Sequence, residues 1–316
     1  MKSLVVLITG SLLLVFLSVV LFQYRADITH ARARALGGSE ILATKNGEIE
    51  YAVRGEGLPV LLIHGAGGGY DQGMWFGETA LGDGYQCISV SRYGYLRSTF
   101  AEESTVESQA ALYVELLDHL GINQVVVFGG SAGGPSALQF VHDYPERSMA
   151  LVLVSAISMY MGDEIPLSTR IVNTIQRSDF AYWLVLKLFR SQFMEMVGIS
   201  PEAYDLFSPE EQRLTHEMLE FMHPMSPRWP GNMHEVNYIP LSAEALQGIT
   251  VPTIILHARD DSLVNHDHAE YAHENIKHSE LVSFESGGHG LVAQSKVIRE
   301  QIKDFLAGNN LYKESN

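Results

Sequence analysis

The chain has 316 residues, 46% of them hydrophobic, enough for one large core or two modest domains. Its 37 acidic against 21 basic residues set a formal net charge of −16, which argues against a nucleic-acid partner and leaves no broad basic surface for anionic lipid. The single cysteine, Cys87, excludes an internal disulfide; lying in a strand-like run, it reads as a small core residue rather than a nucleophile.

Residues 4–22 are almost wholly apolar, with Lys2 before them and Arg25, Arg32 and Arg34 after. A run of that length at helical rise nearly crosses a hydrocarbon core. Residues 1–24 therefore read as a single-pass membrane anchor, and the downstream arginines favour an inside catalytic domain. A cleaved secretory signal is the rival reading, and would make the protein periplasmic or secreted. The run is long for a signal, and no small-x-small site directly follows Phe22. Residues 25–38, polar and glycine-containing, read as a linker.

The span 39–158 alternates short apolar runs with helical patterns. Residues 41–53 give two strands joined at Asn46-Gly47, a strong hairpin signal. Buried strands follow at 59–63, 86–90, 125–128 and 149–155, and 105–120 is an amphipathic helix opening on a Ser/Thr cap. Between 159 and 240 the pattern turns to helices broken by prolines, with no buried strand, as expected of a cap. The span 241–310 restores strands at 251–257 and 281–284, then closes on a helix at 296–306. The fold class predicted is α/β, a mostly parallel sheet with helices on both faces and a helical insertion.

The chemistry centres on Gly129-Gly130-Ser131-Ala132-Gly133-Gly134, which lies where a strand turns sharply into a helix. That context fits a nucleophile elbow, which pushes the Ser131 hydroxyl above the sheet at a helix N-terminus. Serine needs a base to take its proton and an acid to orient the base, and both should follow later strands in the order acid, then histidine. His289, after Gly287-Gly288, occupies the loop that this order demands; Asp260 and Asp261 both occupy the acid's loop. An oxyanion hole needs two convergent N–H groups. Ala132 supplies one, and the glycine-rich loop 64–69 the other, with Ala66 the choice and Gly65 beside it.

Together these motifs resemble the α/β-hydrolase superfamily. The resemblance rests on His64-Gly65-Ala66-Gly67-Gly68, Arg92-Tyr93-Gly94-Tyr95-Leu96-Arg97-Ser98, the Ser131 elbow, Tyr144-Pro145-Glu146-Arg147, Arg259-Asp260-Asp261-Ser262-Leu263-Val264 and Gly288-His289. It spans residues 48–306, and the cap matches only in placement. It is closest to the lidded branch holding meta-cleavage-product hydrolases, esterases and proline iminopeptidases. In that branch the register of the acid motif implies Asp261 rather than Asp260. Two departures weaken any substrate analogy: Ser91-Arg92-Tyr93 where Asp-Arg-Pro is usual, and Asn265 where proline is usual.

The expectation is a serine hydrolase acting on an ester or related acyl bond of a small, apolar molecule. Ser131, Asp261 and His289 are catalytic, and Ala66, Ala132 and Gly65 bind the oxyanion or substrate. A carbon–carbon bond hydrolase or an aminopeptidase would use the same triad, and an anchored binding module with a dead site is the reading from another class. No nucleotide loop is present, so no cofactor is implied. His266, Asp267, His268 and His273 lack the thiols or tight carboxylates of a metal cluster and read as a solvated polar stretch.

Overall fold

The computed structural model describes residues 2–160, 162, 174–236 and 238–312. Eight strands form one sheet: β1 (Glu40–Thr44), β2 (Gly47–Arg54), β3 (Leu58–Ile63), β4 (Tyr85–Val90), β5 (Val125–Gly130), β6 (Ser148–Val154), β7 (Thr253–Ala258) and β8 (Ser279–Phe284). Their order is β1-β2-β4-β3-β5-β6-β7-β8. The β1–β2 hairpin turns at Asn46-Gly47, where Gly47 has φ 108°. β2 pairs antiparallel with β4, and every later pairing is parallel.

The apolar runs of β3, β5 and β6 are buried on both faces, as parallel strands must be. Side chains alternate between two cores with period two. Leu61, Ile63, Val125, Val127, Leu151 and Leu153 face one. There α3 (Val106–His119), α4 (Gly134–Asp143) and α11 (Asp267–Asn275) cover them. Val60, Leu62, Val126, Phe128 and Val152 face the other, under α2 (Tyr70–Phe76) and α12 (Ser295–Gly308). The carboxyl ends of β3, β5, β7 and β8 therefore open on one edge, and the loops that follow them converge there.

Between β6 and β7 the described residues hold no strand. They form α5 (Asp179–Leu188), α6 (Arg190–Met196), α7 (Pro201–Leu206), α8 (Pro209–Phe221), α9 (Trp229–Glu235) and the short α10 (Ala243–Gln247). Part of the expected cap, residues 161, 163–173 and 237, lies outside the described residues. Cap and core share a third apolar cluster, in which Met194, Val197, Leu214 and Leu219 meet Trp75 and Val292.

The linker expected at 25–38 is not a linker. One helix, α1, runs Lys2–Leu36, and beyond its apolar stretch it docks on the cap. Ile28, Ala31 and Ala35, spaced along one helical face, are buried. The charges between them find partners: Asp27 with Lys187 at 2.9 Å and with the Trp183 indole N–H at 2.9 Å, and Arg32 with Asp179 at 3.1 Å. Small apolar residues between charges look like a solvated stretch until a partner surface is known. The helix α2 was likewise hidden, because it begins directly after the glycine-rich loop.

Candidate active site

β5 ends at Gly130, and Ser131 follows with φ 50°. A non-glycine residue held in the left-handed region is strained, and such strain is typical of an elbow. The turn is possible because Gly133 has no side chain: a Cβ there would lie 2.5 Å from the Ile63 carbonyl oxygen. The elbow so raised brings Ser131 beneath the β7 and β8 loops.

There the three expected residues meet. His289 Nε2 lies 2.9 Å from Ser131 Oγ, and His289 Nδ1 lies 2.8 Å from Asp261 Oδ2. Asp261 is buried and its Oδ1 accepts the Leu263 and Val264 N–H groups, each at 2.9 Å. His257 Nε2 stands 3.2 Å from Oδ2. Burial raises the Asp261 pKa, but hydrogen bonds from His257 and His289 and the backbone N–H of Val264 outweigh it and hold the carboxyl well below its usual range. Asp260 does not reach the imidazole. It accepts the Gly288 N–H at 2.9 Å and so shapes the loop that carries His289.

The loop after β3 lies against the elbow. Gly65 is required by close approach: a Cβ would stand 2.9 Å from Ser131 Cβ. Its own N–H is engaged, donating to Gln72 Oε1 at 2.8 Å, so Gly65 lines the site without offering a donor. Ala66 and Ala132 also line the cavity beside Ser131. The carbonyl behind the Ala132 N–H, that of Ser131, accepts the Ile157 N–H at 2.9 Å. The carbonyl behind the Ala66 N–H, that of Gly65, faces His64 Nδ1 at 2.7 Å. His64 Nε2 accepts the Arg92 backbone N–H at 3.1 Å, which assigns the ring hydrogen to Nδ1. Burial and the Arg92 guanidinium push the His64 pKa well below its ordinary value, so the ring is neutral.

Ser131 and His289 open on a cavity of about 340 Å³. Trp75, Phe76 and Phe128 line it from the core, and Phe193, Val197, Leu214, Met218 and Met222 from the cap. Among the described residues its walls carry no Asp, Glu, Lys or Arg. The α5 stretch does not line it; Phe180 and Trp183 instead pack on Tyr24 of α1, at ring distances of 5.0 and 5.5 Å.

The residues weighed for other roles are engaged elsewhere. His266 meets Ser283 Oγ at 2.8 Å, His268 accepts the Ser158 N–H at 3.2 Å, and His273 meets Ser279 Oγ at 2.9 Å, so the three imidazoles serve separate contacts. Burial pushes the Cys87 thiol up to about 11, which makes it a poor nucleophile.

Fold and site together define a class. Residues 59–295 match the α/β hydrolase fold family, and the chain belongs to it. It is an enzyme of that fold, 31% identical over 263 residues to the uncharacterized hydrolase YcgS of Bacillus subtilis (strain 168), covering 79% of this chain and 91% of that one. It is 25% identical over 271 residues to the 2-hydroxy-6-oxononadienedioate/2-hydroxy-6-oxononatrienedioate hydrolase of Pseudomonas sp, over 80% of this chain and 90% of the relative. Among solved structures, an α/β hydrolase fold protein from Nakamurella multipartita aligns with a TM-score of 0.73 at 26% identity, covering 85% of this chain and 99% of that one.

Proposed function

We propose that the protein is a serine hydrolase that cleaves an uncharged, apolar ester through an acyl-enzyme. Ser131 Oγ attacks the ester carbonyl as its proton passes to His289 Nε2. Asp261 holds the imidazole with hydrogen on Nδ1 and steadies the imidazolium that forms. The carbonyl oxygen becomes an oxyanion between the Ala66 and Ala132 N–H groups. The alcohol departs with the proton from Nε2. Water, deprotonated by the same nitrogen, attacks the acyl carbon, and Ser131 leaves with the acid released.

One observation carries the reading: the Ser131–His289–Asp261 hydrogen-bonded line opens on a cavity whose described walls bear no formal charge. Among the described wall residues a dioate's two carboxylates would meet no cation, and an α-ammonium would meet no carboxylate. Carbon–carbon cleavage stays the second reading because the Pseudomonas relative is named a hydrolase of a 2-hydroxy-6-oxo dioate, not of an ester. The test compares turnover of p-nitrophenyl butyrate with turnover of a 2-hydroxy-6-oxo-dienedioate, for wild type and Ser131→Ala. The ester should be hydrolysed, the dioate poorly or not at all, and the variant should be inactive. Preference for the dioate would replace the ester reading.

We also propose that α1 anchors the enzyme in a membrane. Its most apolar window has a mean hydropathy of 2.8 and none of it is buried by the protein, and the helix is long enough to cross.

A further inference from the structure

The oxyanion loop is held from behind by a buried cation that the chemistry above leaves unused. Arg92, 1% exposed, follows β4 and points under both loops of the site. Its Nη2 donates to the Gly65 carbonyl at 3.1 Å and its Nη1 to the Ala132 carbonyl at 3.1 Å. Glu235, at the end of cap helix α9, stands 2.5 Å from the same Nη2, and the Tyr95 ring packs on the guanidinium at 5.0 Å. A peptide unit is planar and trans, so its C=O and N–H point in opposite directions. Fixing the Gly65 oxygen therefore aims the Ala66 N–H the other way, toward the cavity that Ala66 lines with Ser131. Because one rigid, planar fork holds the carbonyls of both Gly65 and Ala132, it also sets the spacing between the two loops.

We propose that Arg92 is a positioning residue for the oxyanion hole, aiming the Ala66 N–H through the Gly65 carbonyl, and that Glu235 makes this setting depend on the cap. The proposal rests on the ester-hydrolase reading of the site. The cap is thereby more than a cover: α9 and the residue before it reach the loop at further points, since the Gly67 N–H donates to Asn232 Oδ1 at 3.1 Å and Arg228 Nη1 donates to the Gly68 carbonyl at 2.8 Å.

Removing one member of a buried ion pair strands the other, so the test uses Arg92→Met/Glu235→Met, which removes both, beside Arg92→Lys. Steady-state rates are measured with p-nitrophenyl butyrate and with its thionoester, whose sulfur is a poor acceptor for the hole. Folding is checked by thermal denaturation. For both variants the oxo ester should lose kcat about 100-fold with KM little changed, the scale of losing one oxyanion donor. The thionoester rate should change little, and lysine should not rescue, because a point charge cannot hold the two carbonyls in one plane. Equal losses on the two esters would mean general damage, and unchanged rates on both would mean no role; either overturns the inference while the ester reading stands. A wild type that turns over neither ester overturns the reading of the site, and this inference with it.

Discussion

Asp260 and Asp261 are adjacent carboxylates with different partners. Asp261 Oδ2 meets the imidazole, whereas Asp260 meets the glycine N–H groups below it. Asp261→Asn should lower kcat by about 10⁴-fold, since an amide cannot hold the Nδ1–H tautomer. Asp260→Asn should cost far less and act through loop order; pre-steady-state and steady-state ester assays check both, and the reverse ranking would move the acid to Asp260. Gly65→Ala tests the close approach, because its Cβ would crowd Ser131. It should remove most activity while leaving the melting temperature within a few degrees. At this scale the sequence was informative where chemistry demands a residue type at a fixed place: Ser131 after a strand, His289 after two glycines. It singled out the Arg92 motif only as a resemblance and gave Arg92 no role, because nothing local says that a charged residue after β4 will be swallowed whole, and it was silent on Gln72, which occupies the Gly65 N–H that a bare motif leaves open.

The parallel strands were legible because a strand buried on both faces must be apolar throughout, and residues 59–63 and 125–128 are. The second half of α1 was not, because its meaning lies on another element: Ile28, Ala31 and Ala35 become an apolar stripe only against the cap. Two truncations separate anchor from fold. Removal of residues 1–23 should give a soluble protein that hydrolyses short esters at wild-type rates. Removal of residues 1–38 should cut stability by several kcal/mol, as expected for stripping the buried Ile28, Ala31 and Ala35 side chains, the exposed ion pairs adding little. Urea denaturation of both proteins decides it, and equal stability would return 25–38 to the status of a linker. The cap is tied to the core by a second element contact. Arg228, fully buried in the segment before α9, binds Asp71 of α2 in a bidentate pair at 2.6 and 2.9 Å. Arg228→Met leaves a buried carboxylate and should destabilise by about 3–5 kcal/mol. Wild-type stability in that variant would mean that the cap stands without this clamp.

The whole molecule carries buried histidines whose neutral form the fold requires, and this sets its response to acid. Burial, reinforced by Arg34 and opposed by Asp179, pushes His223 down to about 4, and burial also lowers His64 and His268. An unfolded chain takes up those protons near pH ~6.5, and the native chain does not. Stability is therefore complete above about pH 6.5 and falls as pH drops from there toward 4. His223→Phe should flatten that fall, read as the urea midpoint at pH 7 against pH 4.5; an unchanged slope would assign the acid sensitivity elsewhere. As the proposed nucleophile of an ester hydrolase, Ser131 should react with a fluorophosphonate. The most direct measurement is intact-mass and peptide mass spectrometry after treatment with a fluorophosphonate. The full chain in detergent should gain one phosphonyl group, mapped to Ser131, and Ser131→Ala should gain none. A folded wild type that stays unlabelled, or an adduct on another residue, would contradict it.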